Sequence, residues 1–156
     1  MLDIPSITGI VAAVGVIVGV VFAVLELRNI TRTRQTDLVM RLHSRFGTRE
    51  FTESWERIMG REAEDFNEYV KKHGLSELIQ VGSFFDGIGI LLHRKLIDID
   101  LAGELFSESI KLIWERIKPI MEGARKQLNQ PQWARWFEYL YNEMQKREQR
   151  LQQTQQ

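Results

Sequence analysis

The sequence predicts an all-α protein in which one N-terminal transmembrane helix continues into a compact cytoplasmic helical bundle. Three observations carry that prediction. Residues 7–25, ITGIVAAVGVIVGVVFAVL, contain no charge. Beyond them, apolar residues recur at steps of three and four, the period of one helix face. No stretch alternates apolar and polar residues at period two over the length of a strand. The resulting organisation is a flank at 1–6, a span at 7–25, a juxtamembrane extension at 26–47, a helical bundle at 48–145 and a polar, Gln-rich tail at 146–156.

Nineteen residues at about 1.5 Å of rise each come close to a hydrocarbon core of about 30 Å. Val and Ile are only fair helix formers in water. In hydrocarbon an unpaired amide costs several kcal/mol, so a lone spanning segment has to be helical. Pro5 and Ser6 suit its first turn or its cap. A cleaved signal peptide calls for a basic flank and a shorter apolar run. Here Asp3 is the only charged side chain before the run, which favours an uncleaved anchor.

Arg28, Arg32, Arg34, Arg41 and Arg45 follow the span and no Lys or Arg precedes it. By the positive-inside rule the N-terminus faces outside and the body faces the cytoplasm, in the cell membrane. Arg28, Arg32 and Arg34 fall at headgroup level, where each basic residue contributes about 1 kcal/mol toward anionic lipid. They also fit a solvated helix face. Within the span Gly15, Gly19 and Ala23 fall four apart, and Gly9 with Ala13 repeats the spacing on a neighbouring face. Such a stripe lets two backbones approach closely, which points to a homo-oligomer or to docking on another membrane subunit. Glycine is also common in transmembrane helices for its own sake.

No Gly or Pro interrupts residues 20–46, so the span is expected to run on as one helix carrying Leu27, Ile30, Leu38, Leu42 and Phe46. Its lower part should pack on the body. Gly47 ends it and Thr48 caps a short helix over 49–59 with Phe51, Trp55, Ile58 and Met59 on one stripe. A second short helix, 62–73, carries Phe66, Tyr69 and Val70 and closes at Gly74. Ser76 is expected to cap the central core helix ELIQVGSFFDGIGILLHRKL, which is too short in its apolar part, and too charged at Asp86, to be a second span. Asp98 or Asp100 starts a short helix DLAGELF. Ser107 begins a longer one with Ile110, Ile113, Trp114, Ile117, Met121, Ala124 and Leu128 on one face, kinked at Pro119. Asn129 with Gln132 offers a capping box, and Pro131 an early position, for a last helix over 131 to about 150 with Trp133, Trp136, Phe137, Leu140, Tyr141 and Met144. After Gln145 the chain KREQRLQQTQQ is expected to fray.

The 156 residues hold 21 Lys and Arg against 21 Asp and Glu, and no Cys. A neutral chain has no global field for nucleic acid. The absence of Cys excludes disulfides, thiolate zinc, cysteine-ligated iron–sulfur clusters and a thiol nucleophile. His43, His73 and His93 form no HExxH or paired ExxH pattern, so no metal site is expected. There is no GxSxG, and Ser76, Ser107 and Ser109 read as caps. Gly82, Gly87 and Gly89 lie inside an apolar helix without a following GKS or GKT, so close helix packing explains them better than a phosphate loop. The aromatic cluster of Trp133, Trp136, Phe137 and Tyr141 reads as core before partner surface. Asp86, set among Phe84, Phe85, Ile88 and Ile90, is costly to bury unpaired. It pairs with an arginine or faces solvent on the plain reading, and on the functional one is a proton-linked or ligand-binding group.

The stretches VFAVLELRNITRTRQTDLVMRLHSRF, QVGSFFDGIGILLHRKLIDID and WFEYLYNEM resemble a family of small, single-pass, membrane-anchored helical proteins, a domain of unknown function. The resemblance covers most of the chain. It implies one span and a compact helical domain, and carries no activity or catalytic residue. The expected function is therefore a non-enzymatic scaffold or accessory subunit without cofactors, held in the lipid bilayer. The alternative is a membrane-tethered sensor that binds a small ligand between helices near Asp86 and Pro119 and signals along the anchor helix.

Overall fold

The computed structural model describes residues 4–61 and 65–154, with side chains described at 9 and from 12 onward. Among these residues there are six helices and no strand. They are α1 (Ile4–Phe46), α2 (Arg49–Met59), α3 (Phe66–His73), α4 (Ser76–His93), α5 (Ile99–Gln127) and α6 (Arg135–Thr154). The fold class is the predicted one. The chain forms two units, one up to Asp37 and one from Leu38 onward.

The first unit is helical from Ile4 to Asp37 and its apolar residues are uncovered: Val16 is 66% and Phe22 69% exposed. Of the described helices, one is long and apolar enough to cross a membrane without a bend, and it contains this segment. The short α3 and α4 together approach the same composition across a bend of 117°. α4 nonetheless buries Leu78, Val81, Phe84, Phe85 and Ile88 in the bundle, so its apolarity is that of a core helix.

The second unit is built around α4, α5 and α6. α4 lies against α6 and α2, while α5 lies against α6, α3 and α2. At the centre Phe85 stacks on Phe137, with ring centroids 4.8 Å apart, and Trp114 lies tilted against Phe137 at 5.0 Å. Phe46, at the end of α1, joins Phe51, Phe84 and Phe106 in a second aromatic group. Val39 is buried and Leu38, Leu42 and Phe46 pack against the core, so the last turns of α1 belong to the bundle as the sequence predicts.

The helix ends follow local chemistry. Thr48 caps α2 by accepting from the Phe51 amide, Asp65 caps α3 through Glu68, and Asp98 caps α5 through Asp100 and Leu101. Gly74 takes φ +72 at the end of α3, the left-handed position that glycine adopts without steric cost. The predicted start of α3 at 62–64 lies outside the described residues. Ser76 is not a cap: it is the first residue of α4, preceded by Leu75 without a side-chain cap.

Three further expectations are corrected. The short helix at DLAGELF and the helix from Ser107 are one, because Ala102, Phe106 and Ile110 continue a single buried stripe across the serine. Pro119 lies inside α5 as predicted, on the exposed side of the helix. Leu128 falls beyond α5 and is 46% exposed, since the helix stops at Gln127. The tail does not fray after Gln145. α6 runs to Thr154, with Lys111 bridging to Glu148 and Arg147 to Asp100, so its polar final turns are held partly from α5.

Candidate functional site

The small-residue stripe is open in a single chain. A Cβ built at Gly15 or Gly19 meets nothing within 4 Å, and Ala23 is exposed. Arg28, Arg32 and Arg34 follow, all exposed. Between and just after them the hydroxyls of Thr31, Thr33 and Thr36 donate to the carbonyls of Leu27, Asn29 and Arg32 at 2.9–3.0 Å. These threonines carry their hydrogen bonds within the helix. This stretch of α1 can therefore meet a low-dielectric surface without leaving a hydroxyl unsatisfied.

Asp86 does neither of the two plain things its sequence setting suggests. One of its carboxylate oxygens, Oδ1, accepts from the backbone amides of Trp136 and Phe137, both at 2.9 Å. With α6 beginning at Arg135, these are its second and third residues, the amides an N-cap side chain serves. The residue preceding α6 is Ala134, at φ +53, which has no side-chain acceptor. A carboxylate from α4 supplies the cap across the bundle. Beside it, Gly89 allows α4 to approach α6 so closely that a Cβ there would lie 2.0 Å from the Trp136 carbonyl oxygen. Of the three α4 glycines only this one is a packing glycine, since added Cβ atoms at Gly82 and Gly87 meet nothing within 4 Å.

The connection before α6 is consequently not the predicted capping box. Asn129, at φ +51, ends α5: the Gln130 amide returns to the Arg125 carbonyl in the six-to-one bond of a left-handed helix terminus. Gln132 accepts from the Arg135 guanidinium, and Pro131 lies in the turn. Arg125 donates to the Trp133 carbonyl and pairs with Glu138, fastening the turn from the α5 side.

The remaining chemistry-bearing residues are dispersed. His43 packs near Phe106, His73 against Tyr69, and His93 against Trp136 and Tyr139. No group of three or more His, Asp or Glu among the described residues is placed to hold a metal. Trp133 and Tyr141 are partly buried and Phe137 fully, so the aromatic cluster belongs mostly to the core. Pro119 lines a surface groove of about 300 Å³ with Met59, Leu112, Glu115 and Arg116. Asp86 is not among its lining residues. Sequence reasoning missed the pairing of Glu77 on α4 with Arg57 and Arg61 on and after α2, and the bond from buried Ser54 to Gln80. Each joins residues sixteen or more apart, and neither pairing has a signature in local spacing.

The α5–α6 seam titrates in one direction. The hydrogen bond and ion pair with Glu148 raise the Lys111 pKa above the usual ammonium range. Burial, then the hydrogen bond to Glu115, raises the Tyr141 phenol. Both groups hold their proton more tightly folded than unfolded, so their contribution is complete below their unfolded pKa values and is lost as pH climbs through the folded ones. Bundle stability should fall from about pH 10 upward. In chemical denaturation between pH 8 and 11, Tyr141→Phe should shallow that fall; an unchanged slope would remove Tyr141 from the explanation.

Residues 13–144 match the family described as Domain of unknown function (DUF4760). No curated protein and no solved structure matches the chain.

Proposed function

We propose that this chain, which belongs to the DUF4760 family, is a non-enzymatic single-pass membrane protein whose helical bundle serves as a scaffold or accessory subunit. The observation that carries the reading is the contrast between its two units. From Leu38 onward apolar side chains are gathered into one core, whereas before Asp37 a long apolar helix has nothing over it. A lipid bilayer is the solvent such a helix needs. The arginines from Arg28 to Arg45 favour an orientation in the cell membrane with the N-terminus outside and the bundle in the cytoplasm.

Within the bilayer, the Gly15, Gly19 and Ala23 stripe makes the contact with a second copy or with another membrane subunit. Replacing Gly15 and Gly19 by Leu should weaken association at least ten-fold, or about 1.4 kcal/mol. The check is the oligomeric state in detergent and in bilayers, by mass determination of the intact complex after mild extraction. An unchanged mass would remove the stripe from the interface. Co-extracted subunits would identify the assembly that the bundle serves.

A ligand-binding sensor is the second reading, favoured by the Pro119 groove. It no longer has Asp86 as a ligand group, because that carboxylate is engaged by α6. Its remaining polar lining is Glu115 and Arg116.

A further inference from the structure

We infer that the side of α1 facing away from the small-residue stripe seats an anionic phospholipid, an inference that rests on the membrane reading above. At 100° per residue, Val24, Leu27, Arg28, Thr31 and Arg32 share one side of the helix, about 150° round from the centre of the Gly15, Gly19, Ala23 stripe. Along that side the chemistry changes once. Val24 is 44% and Leu27 64% exposed; the next exposed residues toward the bundle are Arg28 and Arg32, with Thr31 between them. The Thr31 hydroxyl is turned back to the Leu27 carbonyl at 2.9 Å, which leaves the two guanidinium groups as the charged donors on this side. Glu26 and Asp37, the carboxylates nearest in sequence, fall on the opposite side by the same geometry.

An acyl chain beside two aliphatic residues, ending at a phosphate opposite two arginines, is the molecule with this order of properties. Guanidinium groups bind phosphate oxygens through paired, charge-assisted hydrogen bonds. The two faces of α1 therefore divide their partners. The stripe meets protein, and the Val24 to Arg32 side meets lipid with a net negative headgroup.

The test uses the full chain reconstituted in phosphatidylcholine bilayers and compares how strongly spin-labelled phosphatidylglycerol and phosphatidylcholine are motionally restricted by it. The wild-type chain should prefer phosphatidylglycerol by up to about 25-fold, since each of the two arginines near the surface is worth about five-fold. Arg28→Gln with Arg32→Gln should bring the preference to near unity, whereas Arg34→Gln, on another side of the helix, should leave most of it. Millimolar glycerol 3-phosphate should not abolish the preference, because it has no chain to lie on Val24 and Leu27. Displacement by it would assign the arginines to a soluble phosphate and overturn the lipid assignment. Alkaline carbonate washing separates the two layers of argument. A chain that washes out overturns the membrane reading and this inference with it. A chain that stays integrated but restricts both lipids equally, or whose preference survives the double substitution, overturns this inference alone.

Discussion

Gly89→Ala should lower the stability of the bundle by about 3 kcal/mol or more, the largest effect expected from a single methyl group in this chain. The added Cβ would lie 2.0 Å from the Trp136 carbonyl oxygen and 2.6 Å from its carbonyl carbon. Those are backbone atoms of α6, whose next residue, Phe137, stacks on Phe85 of α4 and lies against Trp114 of α5. No rotamer change relieves the clash, so α4 and α6 have to separate, and the Asp86 bonds and the Phe85–Phe137 stack stretch together. Total stabilities of such domains are about 5–15 kcal/mol, so the variant should unfold at a temperature lower by roughly 10 °C. Gly87→Ala, two residues away in the same helix, is the internal control. Its Cβ meets nothing within 4 Å, and removing a helical glycine should raise stability by about 0.5–1 kcal/mol. Thermal unfolding followed by helical circular dichroism on both variants reads the difference. Two shifts of the same sign would show that the close approach at Gly89 is not what holds α4 to α6.

The pair Gly87 and Gly89 also marks where the sequence ceases to be informative. Helical period placed Leu78, Val81, Phe84, Phe85 and Ile88 inside, and all five are buried. It likewise placed the α5 stripe from Ile110 to Ala124 inside. The boundaries carried by a single residue's chemistry, at Gly47, Thr48 and Gly74, were equally legible, and Asp98 was one of the two starts open for α5. Which of three glycines touches another helix depends on the angle at which two helices cross, and that angle is not written in either segment alone. Asp86 is hidden for the same reason: its partners are backbone amides fifty residues away, which have no side-chain identity to read. Asn129 misled because the residue type that caps a helix start also tolerates the left-handed conformation that ends one. The tail misled because its composition is polar, while the contacts that hold it belong to Asp100 and Lys111 on α5. The length and apolarity of α1, by contrast, rest on composition alone and were legible in the sequence.

Asp86→Ala should cost about 2–3 kcal/mol, more than an ordinary surface N-cap. A capping side chain is worth about 1 kcal/mol on average, and hydrogen bonds to a charged acceptor about 1.5–3 kcal/mol. Here one charged oxygen serves two amides, at the end of α6 where the helix dipole favours negative charge. The site is partly buried, and Ala134 before it has no acceptor to substitute, so removing the carboxylate leaves both amides to whatever water can enter. Asp86→Asn retains an acceptor of the same shape without the charge and should lose only about 1 kcal/mol. The two variants thus divide the geometric part of the cap from its electrostatic part. Denaturation midpoints give the total cost, and amide exchange localises it. Protection at Trp136 and Phe137 should fall in the alanine variant ahead of any change at Leu78 or Val81. If Asp86→Ala were neutral and those two amides kept their protection, α6 would be nucleated by the Arg125 contacts to Trp133 and Glu138 instead. The carboxylate would then be free for the ligand role that its position among aromatic residues first suggests.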